Sequence, residues 1–286
     1  MGPEATPGHP GPAAARHRLG TYLRAQRQKN LLGIERVAAH VGIVPSTLSR
    51  IETGYAPLRT SYLYLLLDLY GVTGDAERSE LAELARQGQC QPYRAQHDDL
   101  IPEGTANYLD LEASATLIRT YAPQIIPEQV MTPAYASAAS RVMRLDLRRP
   151  RYVAFAELAQ ARQEQLWRGR CRIQALIDQR ALRQPIAPAN LITAQLRHLA
   201  ALTGPAVTVQ VIPPQNQPPV ISPPFTVLTL TGQPHDAGCC HGPAGQITVS
   251  RRLACTRAMN ATWEALIKTA LTPPESAALL SELACR

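Results

Sequence analysis

A chain of 286 residues with 45% hydrophobic side chains has enough apolar surface for one large or two ordinary buried cores, which excludes a wholly disordered protein. Only 5% of the residues are aromatic and 25 are proline, so short elements with proline at the joints are expected. The formal net charge is +7, and most of the excess lies early: between residues 16 and 60, eight basic side chains (Arg16, Arg18, Arg24, Arg27, Lys29, Arg36, Arg50, Arg59) stand against two acidic ones, Glu35 and Glu52. A basic segment of this kind is the electrostatic footprint of a polyanion binder, because each cation near a phosphate releases a condensed counterion. A solvated basic face has the same composition, so charge alone does not decide.

Residues 1–15, rich in Pro, Gly and Ala, contain no apolar signal segment and read as a disordered tail. No apolar run is long enough to span a bilayer, and the six cysteines (Cys90, Cys171, Cys239, Cys240, Cys255, Cys285) show neither a CxxC nor a regular spacing. A cytoplasmic protein without a disulfide framework or membrane association is expected.

In chain order, residues 17–29 place Leu19, Tyr22 and Leu23 at helical spacing, and residues 31–33 break that helix. Ile34, Val37, Ala38 and Val41 form the apolar face of a second helix that ends at Gly42. Pro45 suits the first position of a third helix, which runs to Glu52 and stops at Gly54. Residues 61–70 carry an inward stripe of Leu63, Leu66, Leu67 and Tyr70, and Asp75 caps a fifth helix through Leu81, Leu84 and Ala85. Five short helices predict a compact all-α domain over residues 16–87, with a polar linker at 88–100.

The remainder, residues 101–286, reads as an α+β domain. Helices are expected over 134–143, 152–167, 191–202, 256–270 and 275–284, and strands over 171–177, 207–212, 225–230 and 247–249, in a small and mostly antiparallel sheet.

The stretch VGIVPSTLSRIETG, residues 41–54, carries the functional argument. In a helix-turn-helix the second helix enters the major groove with its N-terminal residues at the base edges. Leu48 and Ile51, three apart, face the core and turn Ser46, Thr47, Ser49 and Arg50 outward. Serine and threonine can bond to phosphates or bases, whereas Arg50 can pair bidentately with guanine O6 and N7. Pro45 and Ser46 open the helix, where its dipole favours a phosphate oxygen.

Residues 19–71 resemble the Xre (Cro/C1-type) helix-turn-helix of phage repressors through LGIERVAAHVG, IVPSTLSRIETG and LYLLLDLYG. The resemblance implies a structural pair between Arg27 and Glu52, and phosphate contacts from Tyr55 and Arg59 in the following loop. It departs at two helix caps, normally hydroxyl residues, which here are Gly33 and Val44. Beyond the linker, IPEGTANYLDLEASATLIRTYAPQIIP, AQLRHLAAL with VTVQVIP, PPFTVLTL and GPAGQI are similar to the C-terminal domain of actinomycete Xre regulators of the antitoxin-like type. The resemblance implies a dimeric regulator of double-stranded DNA whose C-terminal domain senses a small-molecule effector or a small partner protein. The alternative is an antitoxin-like module that chiefly holds that partner and autoregulates its own promoter.

Two other clusters invite chemistry. HDAGCCHG brings His235, Cys239, Cys240 and His241 together, but adjacent strand residues point to opposite faces and the spacing fits no closed zinc site, so a buried or edge strand is expected. Asp98, Asp99, Glu103, Asp110 and Glu112 have no nucleophile or histidine at an informative spacing. No P-loop, GxGxxG, GxSxG or HExxH occurs. Neither a catalytic site, a metal site nor a cofactor is expected, and the chain reads as a regulator rather than an enzyme.

Overall fold

A computed structural model describes residues 12–89, 101, 103–143, 149–168, 171–202, 204–216, 222–230, 235–242 and 246–285. The chain divides into two compact units between Pro92 and Tyr93. Residues 1–11 of the expected tail and 90–100 of the expected linker lie outside the described residues, as do Asp98 and Asp99.

The first unit contains α1 (Pro12–Lys29), α2 (Ile34–Val41), α3 (Pro45–Glu52), α4 (Thr60–Leu69) and α5 (Asp75–Gln89). Its core is built from the apolar stripes of all five helices: Leu19 and Leu23, then Val37, Ala38 and Val41, then Leu48 and Ile51, then Leu63, Leu66 and Leu67, then Leu81, Leu84 and Ala85. Burying each leucine contributes about 1.5–3 kcal/mol. Two boundaries differ from the sequence expectation. Helix α1 begins at Pro12, a residue suited to a first turn, and Ala14, Ala15 and Arg16 are buried, so residues 12–15 belong to the domain. Helix α5 runs to Gln89, whose side-chain amide donates to the Leu58 carbonyl at 2.8 Å.

The second unit contains α6 (Glu103–Glu112), β1 (Ala115–Ala122), α7 (Pro133–Met143), α8 (Arg149–Arg168), β2 (Arg172–Asp178), α9 (Ala189–Ala201), β3 (Val207–Ile212), β4 (Phe225–Leu230), β5 (Ala237–His241), β6 (Ile247–Ser250), α10 (Leu253–Ile267) and α11 (Pro273–Cys285), with 3-10 turns at Glu128–Val130 and Gln179–Arg183. The strands form one sheet in the order β3-β2-β1-β4-β5-β6. It is mixed: β1, β2 and β3 run parallel, whereas β4, β5 and β6 pair antiparallel with their neighbours. Parallel neighbours need crossover connections, which α7 and α8 supply between β1 and β2 and α9 supplies between β2 and β3. The expected HDAGCCHG strand is β5. It is interior rather than an edge, with Cys239 buried and Cys240 exposed.

On one sheet face Trp263 and Leu266 of α10 pack against Tyr121, Leu176, Ile212, Phe225 and Val227. The edge strand β3 is closed by α11: Ser276 Oγ accepts the Val211 N–H at 3.0 Å, and the Leu271 N–H donates to the Val211 carbonyl at 2.9 Å. Covering polar edge groups in this way removes a template for unwanted strand pairing.

Candidate nucleic-acid interface

The bend between α2 and α3 follows from Gly42, which adopts φ 79° and whose N–H bonds back to Ala38 and Ala39. Its left-handed conformation costs a residue with a Cβ about 1–2 kcal/mol. The chain then extends through Val44 (φ −78°, ψ 147°), and Pro45 starts α3 with its ring already at a helical φ. Val44 and Gly33 supply no capping side-chain hydrogen bond to α3 or α2. The absent hydroxyl cap forgoes about 0.5–2 kcal/mol at Val44 and only about a few tenths at Gly33, because glycine is itself a favoured cap residue.

Helix α3 has two distinct sides. Leu48, Ile51 and Glu52 are buried, while Pro45, Ser46, Ser49 and Arg50 are exposed and Thr47 is half-buried. Behind its C-terminus the backbone tightens around Arg50, whose carbonyl accepts the N–H groups of Tyr55 at 2.7 Å and Ala56 at 3.1 Å. Gly54, at φ 78°, makes this turn, and a Cβ there would lie 2.9 Å from the His17 Cα. Tyr55 is half-buried in the turn, and Arg59 is exposed as the residue preceding α4.

Helix α3 is fixed from behind by α1. A Cβ on Gly20 would come within 2.3 Å of the Ile51 carbonyl oxygen, so only glycine permits the observed approach. Arg27 Nε and Nη2 donate to the two carboxylate oxygens of Glu52 at 2.6 and 2.8 Å, and Nη1 donates to the Leu32 carbonyl at 3.1 Å. The fork geometry places two parallel charge-assisted bonds on a carboxylate that is almost fully buried. The hydrogen bonds to Glu52 raise the Arg27 pKa and outweigh the opposing effect of burial.

Not all of the basic segment lies on an outer face. Arg16 is buried, donating to the Gly54 and Gly88 carbonyls at 3.4 and 3.1 Å, and Arg27 is committed to Glu52. Arg16 therefore joins α1, the turn after α3 and the end of α5, and is no part of an outer face. Arg24, Lys29, Arg36, Arg50 and Arg59 keep exposed side chains. Sequence periodicity missed the roles of Gly20 and Arg16; Ala14, Ala15, Leu19 and Leu23 extend one stripe whose neighbours they are.

The second unit holds a polar cluster that the sequence reading passed over. Arg162, on α8, sends Nε and Nη2 to the two oxygens of Glu112 at 2.8 and 2.9 Å, and Nη1 to Glu128. Glu112 also accepts from the Tyr108 hydroxyl at 2.7 Å and the Gln129 amide at 2.8 Å. Burial pushes the Glu112 carboxyl up, but Arg162, Tyr108 and Gln129 together hold it below the usual range. The signal was present in α8, where Arg162 and Gln163 interrupt a buried stripe of Leu158, Ala159 and Leu166.

Among the described residues, no group of three or more His, Cys, Asp or Glu side chains is arranged to hold a metal ion, and no helix is long and apolar enough to cross a membrane. Residues 18–81 match the family model of a helix-turn-helix domain, and residues 105–282 match that of a domain of unknown function, DUF5753. No curated protein and no solved structure matches the chain. With its larger match covering more than half of the sequence, the chain belongs to the DUF5753 family, and it carries that domain behind a helix-turn-helix.

Proposed function

We propose that the protein is a sequence-specific, DNA-binding transcriptional regulator of the Xre (Cro/C1) type, acting as a dimer. The observation that carries this reading is the two-sided third helix within a helix-turn-helix domain: Leu48, Ile51 and Glu52 anchor it, and Ser46, Thr47, Ser49 and Arg50 lie on the outer side. In the proposed complex α3 enters the major groove, where Arg50 reads a guanine and the short hydroxyls contact bases or phosphates. Tyr55 and Arg59 touch the backbone and set the register without reading sequence. Two copies occupy half-sites about one helical turn apart. The C-terminal domain supplies the dimer contact and receives the signal, as the resemblance to actinomycete regulators implies.

The test is selection of bound duplexes from random DNA by the purified full-length protein at fixed salt, beside Arg50→Ala and Arg59→Ala. The wild type should enrich a two-fold symmetric site. Arg50→Ala should relax one base position in each half-site, a loss of about 1–3 kcal/mol of discrimination. Arg59→Ala should weaken all duplexes alike and make the salt dependence shallower by about one phosphate. Equal affinity of all three proteins for every duplex would overturn the reading.

A further inference from the structure

The second unit has a half-open cavity of about 350 Å³ off the carboxyl end of β1, where the sheet changes from parallel to antiparallel pairing. That volume is within the range of small-molecule sites. Its walls are largely apolar, with Tyr121, Ile125, Ile126, Met131 and Pro224 among them, and its polar end is formed by the Arg162 cluster and His241.

The cavity is held open by the fold. One wall is the segment after β1, which is pinned from two helices: the Gln163 amide donates to the Glu128 and Met131 carbonyls, and Gln195 donates to the Val130 carbonyl at 2.8 Å while accepting the Thr132 N–H at 2.6 Å. These bonds satisfy the backbone of a buried connection and stop it from collapsing into the space. On the sheet side, His241 Nε2 lies 2.8 Å from Thr226 Oγ1, which donates to Thr120 Oγ1 at 3.1 Å, and the Tyr108 ring meets the imidazole edge-on at 5.9 Å.

The charges at the polar end do not balance. Among the described residues, one guanidinium, Arg162, faces two carboxylates, Glu112 and Glu128. Glu112 and Arg162 are sealed, with side chains 1% and 6% exposed, whereas the Glu128 side chain keeps 32% exposure and lines the cavity. Burial lowers the pKa of His241 and favours its neutral form, so it does not supply the missing cation. An anionic ligand would meet a site of net negative charge; a cation would complete it.

We propose that this cavity binds a small, mainly apolar molecule with a protonated amine, its hydrocarbon body against Tyr121, Ile125 and Met131 and its ammonium on the Glu128 carboxylate. As the signal of a DNA-binding regulator this ligand rests on the function proposed above, but its binding does not. The test therefore reads binding directly, by calorimetry and by thermal unfolding of the full chain without DNA, so that failure at one step is distinguishable from failure at the other. The probes are three molecules of one shape: 4-phenylbutylamine, 4-phenylbutanol and 4-phenylbutyrate.

The amine should bind about tenfold more tightly than the alcohol, the difference expected of a charge-assisted hydrogen bond at a partly exposed carboxylate, and the carboxylate probe more weakly than both. Glu128→Gln should bring amine and alcohol to similar affinity. Ile125→Trp, which fills the cavity from its wall and leaves the charge cluster intact, should abolish binding of both while the unliganded melting curve stays cooperative. Absence of binding by all three probes, a preference for the carboxylate, or amine binding unchanged in Ile125→Trp would each overturn the proposal.

Discussion

Each unit of this protein has an arginine paired with a buried glutamate, and the two arginines are balanced differently. Arg27 meets one carboxylate, Glu52, and the pair closes the joint between α1 and α3. Arg162 meets two, Glu112 and Glu128, and its cluster ends at a cavity. A balanced pair is a finished structural contact, and its value is that it fixes the helix whose other side is exposed. An unbalanced one leaves charge at an accessible carboxylate, which is a feature that a ligand can use.

Removing each arginine in turn should have the largest effect. Arg162→Met leaves two carboxylates without their cation, Glu112 buried and Glu128 partly exposed, and Arg27→Met leaves one. Removing one partner of a buried ion pair costs about 3–5 kcal/mol, a large part of the roughly 5–15 kcal/mol that stabilises a typical domain. Arg162→Met should reach or exceed the top of that range, and Arg27→Met, whose side chain is more exposed, should fall near its bottom. Both tryptophans, Trp167 and Trp263, lie in the second unit. Denaturation followed by tryptophan fluorescence should therefore shift strongly for Arg162→Met and little for Arg27→Met, while circular dichroism detects both. Equal fluorescence shifts would mean that the two clusters do not belong to separately stabilised units.

The difference between the clusters also explains what was legible in the sequence. Local periodicity located all five helices of the first unit, and Leu48 and Ile51 alone gave the inner side of α3. The Arg27–Glu52 contact came from the resemblance, since no local pattern links residues 25 apart. In the second unit the strands with alternating β-branched residues, β3 and β4, were readable. Strand β1 was not: Ala115–Ala122 carries Arg119 and two threonines and is buried for most of its length, which erases a period of two. The parallel pairing of β1 with β2 is a property of the crossover through α7 and α8, and short-range patterns do not encode it. In the sequence Glu112 reads only as an acid with no nucleophile or histidine at an informative spacing, because Gln129 and Arg162, which with the nearby Tyr108 complete its cluster, lie 17 and 50 residues away.

Acid separates the two units by a smaller effect. His241 has its pKa lowered below 6.5, first by burial, so the unfolded chain binds its proton more readily than the folded one. Stability should then fall as the pH drops below about 6.5. Glu112 has its folded pKa held below 4.5, so its contribution is present above that value and is lost as the pH falls through the folded pKa. Both act in the same direction and both lie in the second unit. Urea midpoints from tryptophan fluorescence should decline from pH 7 to pH 5 and again below pH 4.5, and His241→Asn should reduce the first decline, to which His198, also lowered by burial, contributes, without removing the second. A midpoint constant from pH 7 to pH 5 in the wild type would contradict the assignment to His241.

The smallest expected effect is a gain, and it sits beside the balanced cluster. Leu31 follows α1 at φ 53°, the only residue other than glycine with positive φ among the described residues, and it is 93% exposed. The turn is required because the Leu32 N–H bonds to the Arg27 carbonyl at 3.1 Å while Arg27 Nη1 donates to the Leu32 carbonyl. A left-handed leucine costs about 1–2 kcal/mol, and an exposed side chain returns little of it through packing. Leu31→Gly relieves that strain but also enlarges the freedom of the unfolded chain, so the net gain should be about 0.5–1 kcal/mol. It should appear in the transition followed by circular dichroism and leave the tryptophan-reported transition unchanged. A loss of stability instead would mean that Leu31 makes a contact worth more than its strain, and the outer surface of the turn between α1 and α2 would then be the place to look for the partner that covers it.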